Sequence, residues 1–492
     1  MGRAHSHDRM CSPVSIKTSV STCAGTNIAV IMVGLPATGK SFTARNLCRY
    51  LRWMGLQTRS FQVAQYRKQV IGHYPKADFF DPTNDECLRL RTKVADKALE
   101  EMLAWLGEES DAERRVGILD ASNTRLERRM LINKACLQAH IQPVFIECIY
   151  TQHELALPEH VREVRLTCPE YGELDNEAAL LDFKRRIAFY APHYVRCSAG
   201  TEDTALPYIT VHDGGRRIVA SHLFGYLPSR MLYYLMNVHC GSKRIFLFTL
   251  PSAEDDNTVE LQKQAMIARQ HLAHVGEATL SIEPNHLRSP RISILHDGET
   301  HRKCNPFSVW TETSHIGAVL EPIFQGHVLQ SKPQLRELDQ GIVEGLSDDE
   351  IKELLGEDEY LAHTLDPYNH RYPRAESYHD LAVRLENVMM ELERDPADIL
   401  IMAHISVLQC IYAYFVEIPS NQISSTRIPP SVLVELTTKA YGVIERRFEF
   451  DASTISLSED GKIAESVTSE NTAASIELSS LEEIFRPFAP IQ

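Results

Sequence analysis

The segment from Gly34 to Ser41 has the residue types and spacing needed to hold a polyphosphate. It reads GLPATGKS and fits G-x-x-x-x-G-K-[S/T], in which glycines let backbone N–H groups turn inward on phosphate oxygens. Lys40 would neutralise the β- and γ-phosphates, and Ser41 would ligate Mg²⁺. The residues expected to hold ATP are Gly34, Leu35, Pro36, Ala37, Thr38, Gly39, Lys40 and Ser41.

A second candidate group is the carboxylate of Asp120, which closes the apolar run VGILD. A nucleotide-binding loop of this kind needs a carboxylate at the end of a neighbouring strand, to complete the Mg²⁺ shell or to activate the acceptor. An Asp at a strand end can also do no more than cap the next helix. Its combination with the glycine-rich loop favours the metal-binding interpretation.

A dispersed set of cations follows the loop. Arginine suits a phosphate monoester because its guanidinium can bind two oxygens at once. Cations at such spacing are otherwise ordinary solvated surface residues, and the pattern alone does not choose between the two interpretations. The set is Arg67, Lys68, Arg91, Arg128, Arg165 and Arg186, with Tyr190 one helical turn after Arg186.

The elements that must position these groups alternate between apolar runs and helical patterns. Continuous apolar strands separated by helices predict a parallel sheet covered on both faces. In the first half the segments are NIAVIMVG, GKSFTARNLCRYLRWMG, VGILD, TRLERRMLINKACLQAH, QPVFIECIY and a helix around Ala178 to Tyr190. In the second half they are a junction and strand within Arg230 to Phe248, a helix from Ser377 to Arg394, and the strands DILIMAH, VLVELTT and YGVIERRFEF.

Length and composition set the domain organisation. The chain has 492 residues, which predicts two domains plus tails. We expect a disordered tail at 1–26, a P-loop domain at 27–240, a second α/β domain at 241–452 and a disordered, acidic Ser/Thr-rich tail at 453–492. The fold class expected is α/β throughout.

Charge and hydropathy exclude some classes of partner. The formal net charge of −15 argues against a nucleic-acid or anionic-membrane surface, so phosphate binding requires a local basic pocket. The sequence contains no apolar run of 18 residues and begins without a secretory signal pattern, which predicts a cytoplasmic protein. Eleven Cys without CxxC pairs predict reduced thiols.

The sequence resembles the bifunctional 6-phosphofructo-2-kinase/fructose-2,6-bisphosphatase family from about Asn27 to Phe450. Other P-loop kinases share the first matching segment but not the whole set. The segments are GLPATGKSFTARNLCRYLRWMG, QYRK, FFDPTN, LDASNTRLERR, FIECI, VREVRL, CPEY, the cluster of DF, RRI and Y that ends at Tyr190, and YYLMNVH. The resemblance implies fructose 6-phosphate as acceptor and a homodimer.

The resemblance also assigns roles to individual residues. Lys40, Ser41 and Asp120 fall on the family's ATP and Mg²⁺ positions, and Lys40, Asp120 and Arg186 are the candidate catalytic groups. The positions that grip fructose 6-phosphate or the transferring phosphate are Arg67, Lys68, Arg91, Arg128, Arg165, Arg186 and Tyr190. Three departures from the animal enzymes fall at Lys68, Arg165 and Tyr150. Since charge survives at the first two, they affect the expected affinity more than the chemistry.

The second half lacks the chemistry that the resemblance implies. The family's second domain resembles the histidine phosphatases, where an Arg-His-Gly stretch presents the nucleophile, but this chain has Thr249, Leu250 and Pro251 there. Leucine cannot form a phosphoenzyme. A second family Arg falls on Ile316, and Glu337, Arg371 and His404 persist without a reaction to assist. We therefore expect the phosphatase activity to be lost.

Four hypotheses follow from the sequence. The first is a 6-phosphofructo-2-kinase with an inactive phosphatase-like domain. The second is a non-catalytic regulatory or scaffold protein that binds nucleotide or sugar phosphate. A kinase for another hydroxyl acceptor needs only the P-loop, and retained bisphosphatase activity is the least favoured. An allosteric sugar-phosphate site built from Arg371 and His404 is an alternative to a purely structural role for those residues.

Overall fold

Six strands from the N-terminal part of the chain form the first sheet, in the order β2-β3-β1-β4-β5-β6. Strands β1 to β5 are parallel, and β6 is antiparallel to β5. The strands are β1 (Ile28–Val33), β2 (Gln57–Gln62), β3 (Arg115–Asp120), β4 (Gln142–Ile149), β5 (Tyr208–His212) and β6 (Arg217–Ser221). Every residue of β1 is buried, because helices cover both faces of a central parallel strand.

The predicted parallel sheet is thus confirmed except at its edge. Residues 213–216 join β5 to β6, and a connection this short cannot cross over the sheet, so it reverses the chain. The helices of this part are α1 (Lys40–Trp53), α2 (Val63–Ile71), α3 (Asp85–Gly107), α4 (Leu126–Gln138), α5 (Asn176–Tyr190) and α6 (Tyr226–Asn237). Helix α6 occupies much of the segment that the sequence analysis interpreted as a junction, and it buries Leu227, Met231 and Leu235 at helical spacing.

The second sheet is also mixed, with the order β12-β11-β7-β10-β8-β9. Strands β7, β10, β8 and β9 are parallel, whereas β11 is antiparallel to β7 and β12. The strands are β7 (Arg244–Thr249), β8 (Ser308–Thr311), β9 (Val328–Ser331), β10 (Ile399–Ala403), β11 (Val432–Lys439) and β12 (Gly442–Glu449). The sequence pattern placed β7, β10, β11 and β12 to within about two residues.

Within the described ranges of the second half, five helices accompany the second sheet. They are α7 (Ser314–Leu320), α8 (Asp348–Leu355), α9 (Glu357–Leu365), α10 (Tyr378–Arg394) and α11 (Ile405–Val416). The predicted helix 377–394 is confirmed as α10, whose first turn is closed by reciprocal hydrogen bonds between Ser377 and Asp380. Such a capping box satisfies amide donors that the helix cannot pair internally.

The computed structural model describes residues 26–72, 76–108, 114–151, 176–199, 206–238, 243–250, 308–395, 397–429, 432–439 and 442–449, with isolated positions at 157–161 and 261–272. The two predicted disordered tails lie outside these ranges apart from Thr26. The described residues up to Glu449 form one compact unit. One continuous group of buried apolar side chains joins the two sheets through α1, α6, α10 and α11. Within the described ranges, none of the helices has the length and hydropathy needed to cross a membrane.

Candidate phosphoryl-transfer site

The loop between β1 and α1 adopts a conformation that requires glycine at both ends. Gly34 has a φ of 142° and Gly39 a φ of 77°, values that side chains with a Cβ rarely adopt. A Cβ on Gly34 would also lie 2.6 Å from the carbonyl oxygen of Cys148. The amide of Gly34 donates to the carbonyl of Ser122 at 2.9 Å. The start of the loop is therefore fixed against the carboxyl ends of both neighbouring strands, β3 and β4.

Within the loop, the side chains point toward its own backbone. The hydroxyl of Thr38 donates to the carbonyl of Leu35 at 2.8 Å, and the ammonium of Lys40 donates to the same oxygen at 2.5 Å. Both side chains are buried. Because α1 begins at Lys40, the amide groups and the positive dipole end of this helix face the loop, which is the usual arrangement of a phosphate site.

Lys40, Ser41 and Asp120 come together at the first turn of α1. The side chain of Ser41 hydrogen-bonds to the carboxylate of Asp120, and the charges of Lys40 and Asp120 lie close enough to interact. Burial lowers the pKa of Lys40, and Asp120 partly opposes this shift. Burial likewise raises the pKa of Asp120, against the effects of Ser41 and Lys40. The hydroxyl and carboxylate oxygens are hard donors that suit Mg²⁺, and Lys40 supplies the charge that suits a polyphosphate.

Three of the predicted cations converge on one aromatic ring, that of Phe80. The guanidinium carbons of Arg186, Arg67 and Arg91 lie 4.5, 4.9 and 6.0 Å from its centroid. Tyr190 lies beside the same ring, with the two centroids 6.0 Å apart. A buried aromatic face can hold several guanidinium groups near one another because it attracts each of them. The structure therefore brings Arg67, Arg91, Arg186 and Tyr190 into one cluster.

Phe80 belongs to a short 3-10 turn (Ala77–Phe80) that two side chains hold in place. Arg91, from α3, donates to the carbonyls of Phe80 at 2.6 Å and Asp81 at 3.3 Å. Asp182, from α5, accepts from the amide of Ala77 at 2.7 Å and pairs with Arg186 at 2.8 Å. Sequence analysis assigned no role to Phe80 or Asp182, although the segments FFDPTN and DF that contain them were noted and Asp182 precedes Arg186 by one helical turn.

The cluster is connected to the nucleotide loop through α5. Ala37 of the loop contacts a small apolar group that includes Ala179 and Phe183. The guanidinium of Arg186 lies 5.8 Å from the ring centroid of Phe183. The glycine-rich loop and the cluster of arginines thus both contact α5.

The remaining predicted cations have other surroundings. Arg128 forms an ion pair with Asp96 of α3, and Lys68 is exposed on α2. Arg165 lies outside the described residues. None of these observations tests the roles assigned to the three residues, which stay predictions.

Two buried charged residues that the sequence analysis did not select form hydrogen bonds with the segments that surround the site. Arg129 is fully buried and donates to the carbonyls of Asn123, Thr124 and Val195 at 2.8 to 3.0 Å. It therefore ties the loop after β3 to the segment after α5. Glu147 of β4, also fully buried, accepts hydrogen bonds from Tyr194, Cys197 and Thr210. A buried charge that is held by several hydrogen bonds is characteristic of a structural role.

The second sheet carries a different arrangement where a phosphatase nucleophile was expected. Leu250 follows β7, is buried, and donates its amide to the carbonyl of Ala403 at 2.9 Å. His404, which follows Ala403 in the chain, is buried between two carboxylates. Its Nε2 lies 3.5 Å from Glu312, and its Nδ1 lies 3.3 Å from Glu337. Sequence analysis had identified Glu337 but not Glu312.

Arg371 stands apart from this group. It is exposed and pairs with Asp380 at 3.3 Å, whereas His404 is buried. Arg384 holds the segment containing Glu337 by donating to the carbonyls of Arg336 and Glu337. In the part of the chain that the structure describes, the contacts of Arg371 and His404 therefore do not join them in one anion site, and two carboxylates beside His404 would repel a phosphate.

The surroundings of His404 give an expected dependence of stability on pH. Burial alone would lower its pKa, but the hydrogen bond to Glu312 and the charge of Glu337 outweigh burial and raise the pKa. The stabilisation is complete below the unfolded pKa of about 6.5 and is lost as pH rises through the higher folded value. We expect the urea midpoint to fall more steeply above about pH 6.5 in the wild type than in His404→Gln. Equal slopes in the two proteins would contradict this.

Comparison with known proteins gives the same assignment for both halves of the chain. A family model described as 6-phosphofructo-2-kinase matches residues 16–242, and one described as histidine phosphatase superfamily (branch 1) matches residues 320–450. The chain is 33% identical to a 6-phosphofructo-2-kinase/fructose-2,6-bisphosphatase of Gallus gallus, over 84% of this chain and 83% of that protein. A protein of the same description from Bos taurus, form 1, is 34% identical over 84% and 82%. One from Arabidopsis thaliana is 31% identical over 86% and 54%.

Proposed function

The chain belongs to the 6-phosphofructo-2-kinase/fructose-2,6-bisphosphatase family, and from this premise we propose that it transfers the γ-phosphoryl group of ATP to the 2-hydroxyl of fructose 6-phosphate. The product is fructose 2,6-bisphosphate. We assign this activity to residues 27–240 and a phosphatase-like domain without phosphatase activity to residues 241–452. The separate origin of the two sheets, from strands within 28–221 and 244–449, supports the division.

The observation that carries the proposal is the convergence of Arg67, Arg91 and Arg186 on Phe80. A nucleotide loop alone is compatible with many acceptors. Three guanidinium groups on one buried ring form a strongly cationic surface, and a phosphate monoester is the acceptor group that such a surface binds. Fructose 6-phosphate carries this group and is the substrate implied by the family.

In the proposed reaction, the chain's own residues mainly position the reactants and neutralise charge. Lys40 binds the β- and γ-phosphates, and the amides of the loop and of α1 orient them. Ser41 and Asp120 would hold Mg²⁺, which when bound supplies charge neutralisation on the phosphates. Arg186 binds the sugar phosphate or the transferring group. A loose transition state needs little early proton removal, so we assign no general base to Asp120.

Loss of the phosphatase activity is proposed on chemical grounds. Leu250 has no nucleophilic atom at the position where the family resemblance places a histidine. The carboxylates of Glu312 and Glu337 beside His404 give this pocket a charge that disfavours a phosphorylated substrate. His404 then has a structural role, held by its contacts with both carboxylates.

The proposal is tested by incubating the purified chain with Mg-ATP and fructose 6-phosphate. We expect one new product, identified by the position of its second phosphate as fructose 2,6-bisphosphate. Much less product should form when glucose 6-phosphate or unphosphorylated fructose replaces fructose 6-phosphate. Absence of product across a series of pH and phosphate concentrations would contradict the kinase assignment. Tight nucleotide binding without turnover would then indicate a non-catalytic scaffold.

The same preparation tests the phosphatase-like domain. We expect no enzyme-dependent release of inorganic phosphate when fructose 2,6-bisphosphate is supplied, and His404→Ala serves as the matched control. Phosphate release by the wild type that disappears in His404→Ala would show that this domain is active.

A further inference from the structure

Helix α1 is attached to the second domain by buried charged and aromatic side chains. Arg49 of α1 donates to Glu393 of α10 at 2.6 Å, and Tyr414 of α11 donates to the same carboxylate oxygen at 2.7 Å. The guanidinium carbon of Arg49 lies 4.5 Å from the ring centroid of Tyr414. All three side chains are buried. Arg49 therefore has both its charge partner and its aromatic neighbour in the other half of the chain.

A second group of contacts lies beside the first. The hydroxyl of Tyr50 donates to Glu386 of α10 at 2.5 Å, and Glu386 also pairs with Arg230 of α6. The ring of Tyr50 stacks on that of Tyr234, with centroids 4.3 Å apart. Tyr234 in turn donates to the main-chain carbonyl of Asn46 at 3.0 Å. Both α6 and α10 thus contact the middle of α1.

The C-terminal end of α1 is held in the same way. The indole N–H of Trp53 donates to the carbonyl of Cys410 in α11 at 3.1 Å, and Tyr368 donates to the carbonyl of Trp53 at 3.1 Å. Arg45 pairs with Glu417 at 2.8 Å. The contacts with the second domain therefore extend from Arg45 to Trp53, over most of the helix.

The same helix begins at the nucleotide loop. Nine residues separate Lys40 from Arg49, which is about two and a half turns of an α-helix. The two side chains therefore leave the helix on opposite sides, Lys40 toward the loop and Arg49 toward the second domain. Because a short helix moves as a rigid body, a shift at Arg49 displaces Lys40 and Ser41 as well.

We propose that the second domain holds the nucleotide-binding helix in position for ATP, with Arg49 and Glu393 as positioning residues. A buried ion pair is costly to break because the remaining partner stays desolvated and uncompensated. The inference gives the phosphatase-like domain a task that needs no phosphatase chemistry, and it rests on the proposed function only through the identity of ATP as ligand.

The test measures the dissociation constant of Mg-ATP for the full chain and for two variants, one on each side of the contact. We expect Arg49→Met and Glu393→Gln each to weaken binding roughly tenfold, by displacing Lys40 and the loop. The KM for ATP should rise accordingly, while the KM for fructose 6-phosphate stays within about twofold. The double variant should weaken binding by less than the product of the two single effects, because it leaves neither charge buried without its partner.

The control breaks an ion pair of the second domain that does not involve α1. Arg244 and Asp398 pair at 2.6 Å, and Asp398→Asn should lower the unfolding temperature without changing the dissociation constant. If Arg49→Met and Glu393→Gln fail to fold, Tyr414→Phe takes their place. It removes only the hydroxyl that donates to Glu393, and it should still weaken the binding of Mg-ATP about threefold.

Folded variants that bind Mg-ATP like the wild type, and lose only thermal stability, would overturn the inference. Weakened binding confined to the variants of the Arg49–Glu393 contact would support it. If the wild type binds Mg-ATP but makes no sugar bisphosphate, the proposed function fails while the comparison of dissociation constants still decides the inference. A wild type that binds no ATP would overturn both.

Discussion

With Lys40 replaced by Met, kcat/KM for phosphorylation of fructose 6-phosphate is expected to fall by roughly 10³-fold or more. In the proposed function, the ammonium of Lys40 is the cation that the loop supplies to the transferring phosphate, and Met keeps the length of the side chain without the charge. The protein should fold, because burial already lowers the pKa of Lys40, so the native state gains nothing from that charge in the absence of ligand. Steady-state kinetics and thermal unfolding measure the two effects.

Lys134→Met provides the matched control for this prediction. Lys134 is exposed on α4, so its loss changes the net charge equally but leaves the loop untouched. We expect activity within about twofold of the wild type. Retention of most activity in Lys40→Met would show that another group neutralises the γ-phosphate, and it would remove the main support for the loop's assigned role.

The nucleotide loop could be predicted because its signal is local. Eight consecutive residues between an apolar strand and a helical pattern specify a conformation that only glycine permits at Gly34 and Gly39. Asp120 was also found, since it closes the neighbouring apolar strand. The α/β class followed from the alternation of apolar runs and helical periods, and the antiparallel β6 was missed because a strand's direction depends on the connection that precedes it.

The cationic cluster could not be derived from the residues alone. Arg67, Arg91 and Arg186 lie on three different helices, so their convergence is a property of the tertiary structure, and the resemblance to a family supplied the choice. Phe80 gave no signal because an aromatic residue in a short 3-10 turn belongs to no periodic pattern. Arg128, which was chosen with equal reason, pairs with Asp96, and its role in binding fructose 6-phosphate stays a prediction.

The contact between the two halves of the chain was also beyond the sequence. In α1, Arg49 occurs in a pattern that would normally place a charged residue in solvent. It is buried because Glu393 and Tyr414, more than 340 positions away, supply its partners. Sequence periodicity describes which face of a helix meets a core, but it contains no information on a second partner for the opposite face.

Arg186→Gln is expected to lower kcat/KM for fructose 6-phosphate by roughly 10²- to 10³-fold, with the dissociation constant of Mg-ATP almost unchanged. Arg186 is oriented on two sides, by the carboxylate of Asp182 at 2.8 Å and by the ring of Phe80 at 4.5 Å. A group held this firmly binds a phosphate with little loss of side-chain entropy. Arg186→Lys keeps the charge but not the planar fork, so its activity should be intermediate.

Arg185→Gln separates this effect from a general loss of positive charge. Arg185 is the preceding residue on α5 and is exposed, so it lies on a different side of the helix from the ring of Phe80. Its replacement should leave the KM for fructose 6-phosphate within about twofold. If the two variants lose activity equally, the basic character of α5 matters only through long-range attraction, which added salt would suppress in both. A loss confined to Arg186→Gln that persists at high salt would indicate direct contact, because a desolvated ion pair is screened far less than an exposed charge.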